Sequence, residues 1–600
     1  MTTADAEGRR VGVVERRGRF LVVEPFFERG RRITLDPRRR RDFREGELVL
    51  VRFARNGRAQ VARSLGRPDV PRDVIEALLL DRGYARSFPE QVEQEASRAA
   101  TRDDRAAHRR DLSSLPTFTI DPASARDFDD AISVERDGDG LRLYVHIADV
   151  AAFVAPGSAT DAEGELRGNS VYVPGTVEPM LPAALSSDAC SLVPGQPRRA
   201  VTVEMSILAG GRPGKSSFYR SLIRSDARFT YEEVDRLFAG GARAPDPVGE
   251  TLAFARAASE ELARARLERG ALAVETSEPE FEFDDRGRVV AAHDVIQTEA
   301  HRLIEQLMIS ANERVAERLL GARRPTIYRV HEQPDPAAIE QLVARLESLD
   351  VPTPPLPANL TPRSAGELVG EISRRLMEYV AATGRRGDAL VSLVLRSLKQ
   401  AIYSPQNIGH AGLASAAYCH FTSPIRRYPD VCVHRALLAA SGEDEHAPPA
   451  HELDEIAAHS TATEREAMTI ERDADDICFA FLLQRELGES SWDRRFDGEV
   501  AGVIGAGAFI SFAGVPGGAA CEGFLPVRRI GGDWYDLNEE QTALVGRDTG
   551  RTLRLGDPVD VVVRSVDPAR SACHMGGGLV GPAPASPGKG RARPISHIPR

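Results

Sequence analysis

The chain has 600 residues, of which 42% are hydrophobic and 28% are charged, and its formal net charge is −11. This length predicts several domains, and the longest uncharged stretch, 500–521, is interrupted by Pro516 and several glycines, which excludes it as a membrane-spanning helix. The N-terminus lacks an apolar signal-peptide core and the six cysteines form no C-x-x-C pair, so we expect a cytoplasmic protein without a zinc or redox motif.

The first segment, 1–65, is basic although the whole chain is acidic, with 17 Arg against 9 acidic residues. A basic surface can hold a phosphate backbone. Short apolar runs alternate with polar turns, which is typical of a small five-stranded barrel of the OB or cold-shock type. Phenylalanines in this segment can either stack on bases or fill the barrel. We therefore predict an RNA-binding domain here, with strands at 11–14, 19–23, 48–53 and 59–61.

A polar, helix-prone segment follows at 66–110. We predict that it is a connector with two short helices, at 73–82 and 89–98.

Four carboxylates then occur within ten residues, at Asp121, Asp127, Asp129 and Asp130. Like charges this close repel, so a folded chain keeps them either in a solvated loop or around a cation. Apolar residues interleave with the acids from 118 to 132 and favour the cation. Oxygen-only ligands suit Mg²⁺, with Mn²⁺ as a substitute. A calcium EF-hand loop is excluded, because the sixth position from Asp127 is Ile132 where glycine is needed.

The run T-I-D-P-x-x-A-R-D-F-D-D-A-I, which contains these acids, resembles the catalytic motif of the ribonuclease II/ribonuclease R family. A second run at 420–430, H-F-T-S-P-I-R-R-Y-P-D, resembles the other hallmark of that family. Its members are processive hydrolytic 3′→5′ exoribonucleases with a catalytic domain named RNB. The resemblance implies an α+β multidomain protein. Its RNB domain, a mixed sheet with surrounding helices, would span 111–490.

The resemblance also implies roles for single residues. The four aspartates would hold one or two metal ions, with Asp129 the most sensitive to change. Arg426 would act as the transition-state arginine, since an always-charged planar donor can neutralise charge on the phosphorus oxygens. Tyr172 would stack on the 3′-terminal base, and further RNA contacts are implied for Tyr231, Glu305, Arg427 and Glu471. Taken alone, tyrosines in such positions are more often packing residues, and a glutamate at the position of Glu305 is usually an exposed helix residue. For Glu471, a solvated helical charge explains the residue nearly as well as a site role.

Two departures from the family pattern concern the path of the substrate. The chain has room for one N-terminal barrel where relatives usually have two. In the run Gly270-Ala271-Leu272-Ala273-Val274, valine stands where the family's second clamp aromatic is expected. Each base–aromatic stack contributes about 1–3 kcal/mol, so we expect a weaker hold on the last nucleotides.

The segment 491–575 predicts a second OB barrel, of the S1 type, with strands at 496–503, 507–512, 522–526 and 559–566. Phe509 and Phe512 are three residues apart, so on a strand they point to opposite faces. Phe509 shares its face with polar Ser511, and we predict that it contacts RNA. The tail 576–600 carries four basic residues and no acidic one, and its Gly/Pro-rich composition predicts disorder.

The sequence thus predicts a monomeric, Mg²⁺-dependent 3′→5′ exoribonuclease that degrades single-stranded RNA processively to nucleoside 5′-monophosphates. One alternative is an RNA-binding regulator with an impaired RNB-like core, against which the presence of all four aspartates argues. The other is a DNA-directed metal nuclease. It is excluded only by the resemblance, since no motif exposes a contact to a 2′-hydroxyl.

Overall fold

The computed structural model describes residues 8–18, 20–35, 43–53, 59–102, 109–208, 210–272, 277–383, 387–570 and 572–576. Val274 and the tail beyond 576 lie outside the described residues. Within those ranges, no helix has the length and apolar character needed to cross a membrane.

The N-terminal segment forms one five-stranded antiparallel sheet. Its strands are β1 (Arg9–Arg17), β2 (Phe20–Pro25), β3 (Ile33–Thr34), β4 (Leu48–Phe53) and β5 (Ala59–Gly66). They are ordered β3-β2-β1-β4-β5, and a bridge between Leu35 and Ala59 joins the two outer edges. Valines 14, 23, 49 and 51 are fully buried inside. The predicted five strands are therefore present, with these valines inside the domain and Phe20 and Phe53 exposed on its surface.

The connector contains the two expected helices, α1 (Pro71–Asp81) and α2 (Glu90–Thr101). Helix α1 buries Val74, Ile75 and Leu78, and the backbone N–H of Val11 donates to Oδ1 of Asp81 at 2.9 Å. This contact ties the N-terminal sheet to the connector.

A seven-stranded mixed sheet forms the centre. Its strands are β6 (Arg110–Asp111), β7 (Phe118–Asp121), β8 (Asp130–Asp137), β9 (Gly140–Ala148), β12 (Pro197–Leu208), β13 (Arg212–Arg224) and β14 (Ala227–Thr230), in the order β14-β7-β8-β9-β12-β13-β6. The outer pairs β14–β7 and β13–β6 are parallel, whereas the inner pairs are antiparallel. Strands β8 and β9 form the expected hairpin, whose turn uses Gly138 at φ 61°, a conformation that favours glycine.

Helices cover both faces of this sheet. The helices of the central region are α3 (Ala159–Arg167), α4 (Tyr231–Phe238), α5 (Val248–Glu268), α6 (Glu299–Gly321), α7 (Pro336–Ser348), α8 (Pro362–Thr383), α9 (Asp388–Arg396), α10 (Tyr428–Ala440) and α11 (Leu453–Glu489). Of these, α7, α8 and α9 pack together in a separate hydrophobic cluster that contains none of the described residues of the sheet. Leu252 of α5 and Leu303 of α6 pack in one cluster with Ile132 of the sheet. On the opposite face, Val431 of α10 and Ile456 of α11 cluster with Ala131.

The central region also contains three antiparallel two-stranded sheets. They are β10 (Val171–Val173) with β11 (Thr176–Glu178), β15 (Glu278–Phe283) with β16 (Val289–Val295), and β17 (Tyr328–Val330) with β18 (Ile402–Ser404).

The C-terminal segment forms a closed barrel. It contains β19 (Arg495–Ile504), β20 (Gly507–Ala513), β21 (Ala520–Pro526), β25 (Pro558–Asp567) and β26 (Ala572–Gly576), and a small sheet of β22 (Tyr535–Leu537), β23 (Ala543–Gly546) and β24 (Thr552–Arg554) lies between β21 and β25 in sequence. Phe496, Ile510 and Phe512 are buried within it. The predicted OB-type barrel at this end is confirmed.

Candidate active site

Two neighbouring strands place Asp121 and Asp130 side by side. Strand β7 ends at Asp121, β8 begins at Asp130, and the two strands pair antiparallel through Phe118 and Ile132. In an antiparallel pair the end of one strand lies next to the start of the other, so both carboxylates lie where these two strands meet at one end of the sheet. The intervening loop, which returns the chain to that edge, carries Asp127 and Asp129.

Burial governs the ionisation of this cluster. Burial, reinforced by the neighbouring Asp130 carboxylate, raises the pKa of Asp121 to about 8, and burial raises the pKa of Asp130 to about 6. Asp129 is 4% exposed, and its pKa is likewise raised by burial. Buried carboxylates held together against their repulsion are stabilised in the charged form by a nearby cation.

The residue types fit a hard divalent cation. The four aspartates offer carboxylate oxygens only, and Oδ2 of Asp121 is buried without a hydrogen-bond partner. Within the described ranges, no three His, Cys, Asp or Glu side chains are already gathered in a position to hold an ion. Asp127 and Asp129 instead accept hydrogen bonds from protein groups. A bound cation would therefore have to draw these carboxylates together.

The second hallmark run is packed directly against the first. The backbone N–H of Ile425 donates to Oδ1 of Asp129 at 2.9 Å, and Nε of Arg426 lies 3.6 Å from Oδ2 of the same carboxylate. Nη2 of Arg426 also donates to Oγ of Ser423 at 3.1 Å. The Arg426 side chain is still 43% exposed, so it faces the open side of the site, where a phosphate can reach it.

The adjacent Arg427 points elsewhere. Its Nε and Nη2 donate to the two oxygens of Asp430, at 3.0 and 2.8 Å, and Asp430 is fully buried. Oδ1 of Asp430 also accepts from the backbone N–H of Ser423. Arg427 thus braces the turn that presents Arg426, and its predicted contact with RNA stays a prediction.

Tyr172 links the acidic cluster to α11. Its hydroxyl donates to Oδ2 of Asp127 at 2.8 Å, while its backbone N–H donates to Oε1 of Glu471 at 2.9 Å. Tyr172 remains 38% exposed. Glu471 lies on α11, and burial raises the pKa of its carboxyl group. Its structural role here is to hold the strand that carries Tyr172.

Tyr231 and Glu305 lie on the helices beside the sheet. Tyr231 begins α4 directly after β14, the strand next to β7, and its ring stacks on His301 with 3.7 Å between centroids. Burial and the charges of Asp130 and Asp121 raise the pKa of its hydroxyl, which places it beside the acidic cluster. Glu305 accepts from both terminal nitrogens of Arg266, at 3.1 and 3.2 Å. Their contacts with RNA stay predictions.

Phe509 lies on the outer surface of the C-terminal barrel. It is partly exposed and packs against Phe524 with 5.2 Å between ring centroids, whereas Phe512 is fully buried. The predicted division of the two rings between opposite faces is confirmed.

Comparison with known proteins agrees with this geometry. Residues 109–443, more than half of the chain, match the RNB domain. The chain belongs to the RNB family. The matched range includes both hallmark runs and the whole central sheet.

Several curated relatives of this RNB protein are named ribonuclease R. The chain is 36% identical to that of Aquifex aeolicus over 90% of its own length and 76% of the relative's. It is 34% identical to that of Escherichia coli, where it spans 59% of the relative's length. Among solved structures, Mycoplasma genitalium RNase R in complex with ribose-methylated single-stranded RNA superimposes with a TM-score of 0.83 at 26% identity, covering 95% of this chain and 89% of the other.

Sequence reasoning missed several residues that support the site in this RNB protein. Asp430 and Ser423 were read only as parts of a motif, although the spacing of Arg427 and Asp430 is that of an i,i+3 ion pair. The carboxylate of Glu178 gave no local signal, because its partners come from distant parts of the chain.

Proposed function

We propose that this protein is a hydrolytic 3′→5′ exoribonuclease that degrades single-stranded RNA processively to nucleoside 5′-monophosphates. The observation that carries the proposal is the meeting of both hallmark runs at one point. The buried Asp129 carboxylate accepts a hydrogen bond from Ile425 and lies beside the guanidinium of Arg426. Anionic metal ligands and a cationic phosphate ligand are thus in contact, as phosphodiester hydrolysis requires.

Asp121, Asp127, Asp129 and Asp130 would hold Mg²⁺, with Mn²⁺ as a substitute. When bound, such ions lower the pKa of a water molecule and neutralise charge on the leaving oxygen. The chain's own contribution is to place Asp121 and Asp130 at the adjoining ends of two paired strands, with Asp127 and Asp129 in the loop between them. The buried Asp121 oxygen without a hydrogen-bond partner supports this assignment.

Arg426 would neutralise the charge that develops on the phosphorus oxygens, because its exposed guanidinium is held at the rim of the cluster. Tyr172, which is 38% exposed, would stack on the terminal base. Its hydrogen bond to Asp127 would keep that base close to the reacting phosphate. Tyr172 would thus bind the 3′ end, and Arg426 would stabilise the developing charge.

The single-stranded RNA in the Mycoplasma genitalium structure supports RNA as the partner. The two terminal barrels would bind the strand and guide it to the central domain, with Phe509 available for stacking. The monomeric state and the cytoplasmic location remain predictions.

A regulator with an impaired core is the alternative. In such a protein, we expect at least one catalytic carboxylate or the arginine to be lost. Here all four aspartates and Arg426 are present, and Arg426 lies beside Asp129, which favours an enzyme.

The test is a gel assay with a 5′-labelled single-stranded RNA, with Mg²⁺ or with EDTA, and with DNA of the same sequence in parallel. We expect a ladder that shortens from the 3′ end only with RNA and Mg²⁺. RNA binding without any shortening would favour the regulator, and equal cleavage of DNA would favour the DNA-directed nuclease.

A further inference from the structure

Glu178 is a buried carboxylate on the hairpin that carries Tyr172. The hairpin pairs Val171 with Glu178 and Tyr172 with Val177, so Glu178 lies one register position from the base-stacking tyrosine. The Glu178 side chain is 3% exposed. A carboxylate buried to this degree must be paired, and its partners decide what the hairpin is fastened to.

Two arginines from different segments bind this carboxylate, one on each oxygen. Nη1 of Arg86 donates to Oε2 at 2.6 Å, and Nη1 of Arg167 donates to Oε1 at 2.6 Å. Arg86 lies in the connector loop between α1 and α2, whereas Arg167 ends α3. Their side chains are 18% and 9% exposed, so solvent screens these pairs little.

Arg86 holds the hairpin by more than charge. Its Nη2 donates to Oγ1 of Thr176 at 3.0 Å, and its Nε donates to Oε2 of Glu76 on α1 at 2.8 Å. Its backbone has φ 60°, a conformation that residues other than glycine rarely adopt and that persists only where the surrounding structure holds it. One guanidinium therefore bridges α1 and the turn of the hairpin.

Arg167 fastens the same connector loop from the other side. Its Nη2 donates to the carbonyl of Ser87 at 3.0 Å, and its guanidinium lies 3.8 Å from the ring centroid of Phe88. Arg86, Arg167 and Glu178 thus form one unit, which we call the hairpin clamp.

The clamp acts on a strand that also contacts the active site. Tyr172 reaches Asp127 and Glu471, and the backbone N–H of Ser170 donates to the carbonyl of Arg426 at 3.0 Å. We propose that Arg86 and Arg167, acting through Glu178, are positioning residues that set the placement of Tyr172 against the 3′ end of the substrate. The connector then takes part in binding the 3′ end, because Arg86 lies in its loop and contacts Glu178. This inference rests on the proposed function for its consequence and on geometry for its mechanism.

The first test measures amide hydrogen exchange at 169–178 without RNA, and so does not depend on activity. Arg86→Gln removes one bridge, and Glu178→Gln weakens both. Arg363→Gln is the matched control, since Arg363 is 88% exposed and pairs only at the surface with Glu367 in the contacts described. We expect faster exchange of the hairpin in the two clamp variants only. Exchange equal to that of the control would overturn the clamp.

The second test is a double-mutant cycle with Tyr172→Ala on a short RNA that does not reach the barrels. We expect Arg86→Gln to raise KM roughly 5- to 150-fold, the range spanned by one base–aromatic stack, while kcat changes little. In the Tyr172→Ala background the same change should add nothing. Additive losses, or an equal fall of kcat in both backgrounds, would overturn the positioning role. If the wild type shortens no RNA, the proposed function fails, and the exchange measurement still decides the clamp.

Discussion

The guanidinium of Arg426 and the carboxylate of Asp129 face each other, with 3.6 Å between Nε and Oδ2. Asp129 comes from the acidic run before β8 and Arg426 from the turn before α10. Their meeting joins a group that can bind a metal ion to a group that can bind a phosphate.

Asp129→Asn should abolish cleavage and leave RNA affinity nearly unchanged. The amide keeps the shape and can still accept from the N–H of Ile425, but it loses the charge needed to hold a cation. Cleavage and filter binding should be measured on the same preparation. Asp493→Asn is the matched control, because that side chain is 89% exposed. Cleavage by Asp129→Asn at the rate of the control would remove this residue from the chemistry.

Arg426→Ala and Arg426→Lys should both slow single-turnover cleavage by about 10²–10³-fold, as expected for the loss of a preorganised transition-state donor. Lysine keeps the charge but not the planar fork of donors. Because Arg426 is 43% exposed, thermal stability should change little. Binding that weakens as much as the rate falls would indicate a role in substrate capture instead.

Arg427→Ala should behave differently, since it leaves the fully buried Asp430 carboxylate without its bidentate partner. Breaking a buried pair in this way costs about 3–5 kcal/mol, so the unfolding midpoint should fall clearly. The comparison is a denaturant titration of Arg427→Ala beside Arg426→Ala. A stable Arg427→Ala protein with weakened RNA binding would support the original expectation of a direct RNA contact.

Asp475 on α11 should make stability depend on pH. Burial, together with the neighbouring Asp476 and Glu471 carboxylates, raises the pKa of Asp475 to about 7. The folded state therefore holds this proton more tightly than the unfolded chain, whose value is about 3.9, so stability is lost as pH rises from about 4 to 7.

Asp475→Asn cannot ionise and should escape that loss. We expect the variant to gain on the order of 2 kcal/mol over wild type at pH 8 and almost nothing at pH 4, after allowance for partial exposure. The measurement is the free energy of unfolding at both pH values, with the exposed Asp139→Asn as the control. A gain of the same size at pH 4 would assign the effect to packing.

Val274→Phe should shorten the final product. With valine at the position of the second clamp aromatic, the wild type should release a longer end product than relatives with two stacking rings, since each stack contributes about 1–3 kcal/mol. The assay is the limit ladder from a 5′-labelled oligonucleotide at excess RNA. An identical last band in both proteins would show that Val274 does not face the RNA.

Local patterns in the sequence were sufficient to predict many of the strands and helices and to single out the acidic cluster. The alternation of apolar and polar residues predicted the terminal barrels, and the turn at Gly138 predicted the β8–β9 hairpin, because these features depend on residues close together in the chain. The four aspartates fall within ten residues, so the cluster is visible without knowledge of the fold. The opposite placement of Phe509 and Phe512 follows from the period of a strand.

Only the tertiary structure decided which group each charged side chain faces. Arg426 and Arg427 are neighbours of one residue type, yet one lies beside Asp129 and the other pairs with Asp430. Glu178 binds arginines from the connector and from α3, which no spacing in the sequence relates to it. Such pairings depend on how distant elements pack, and burial then sets their strength by removing the water that would otherwise screen the charges.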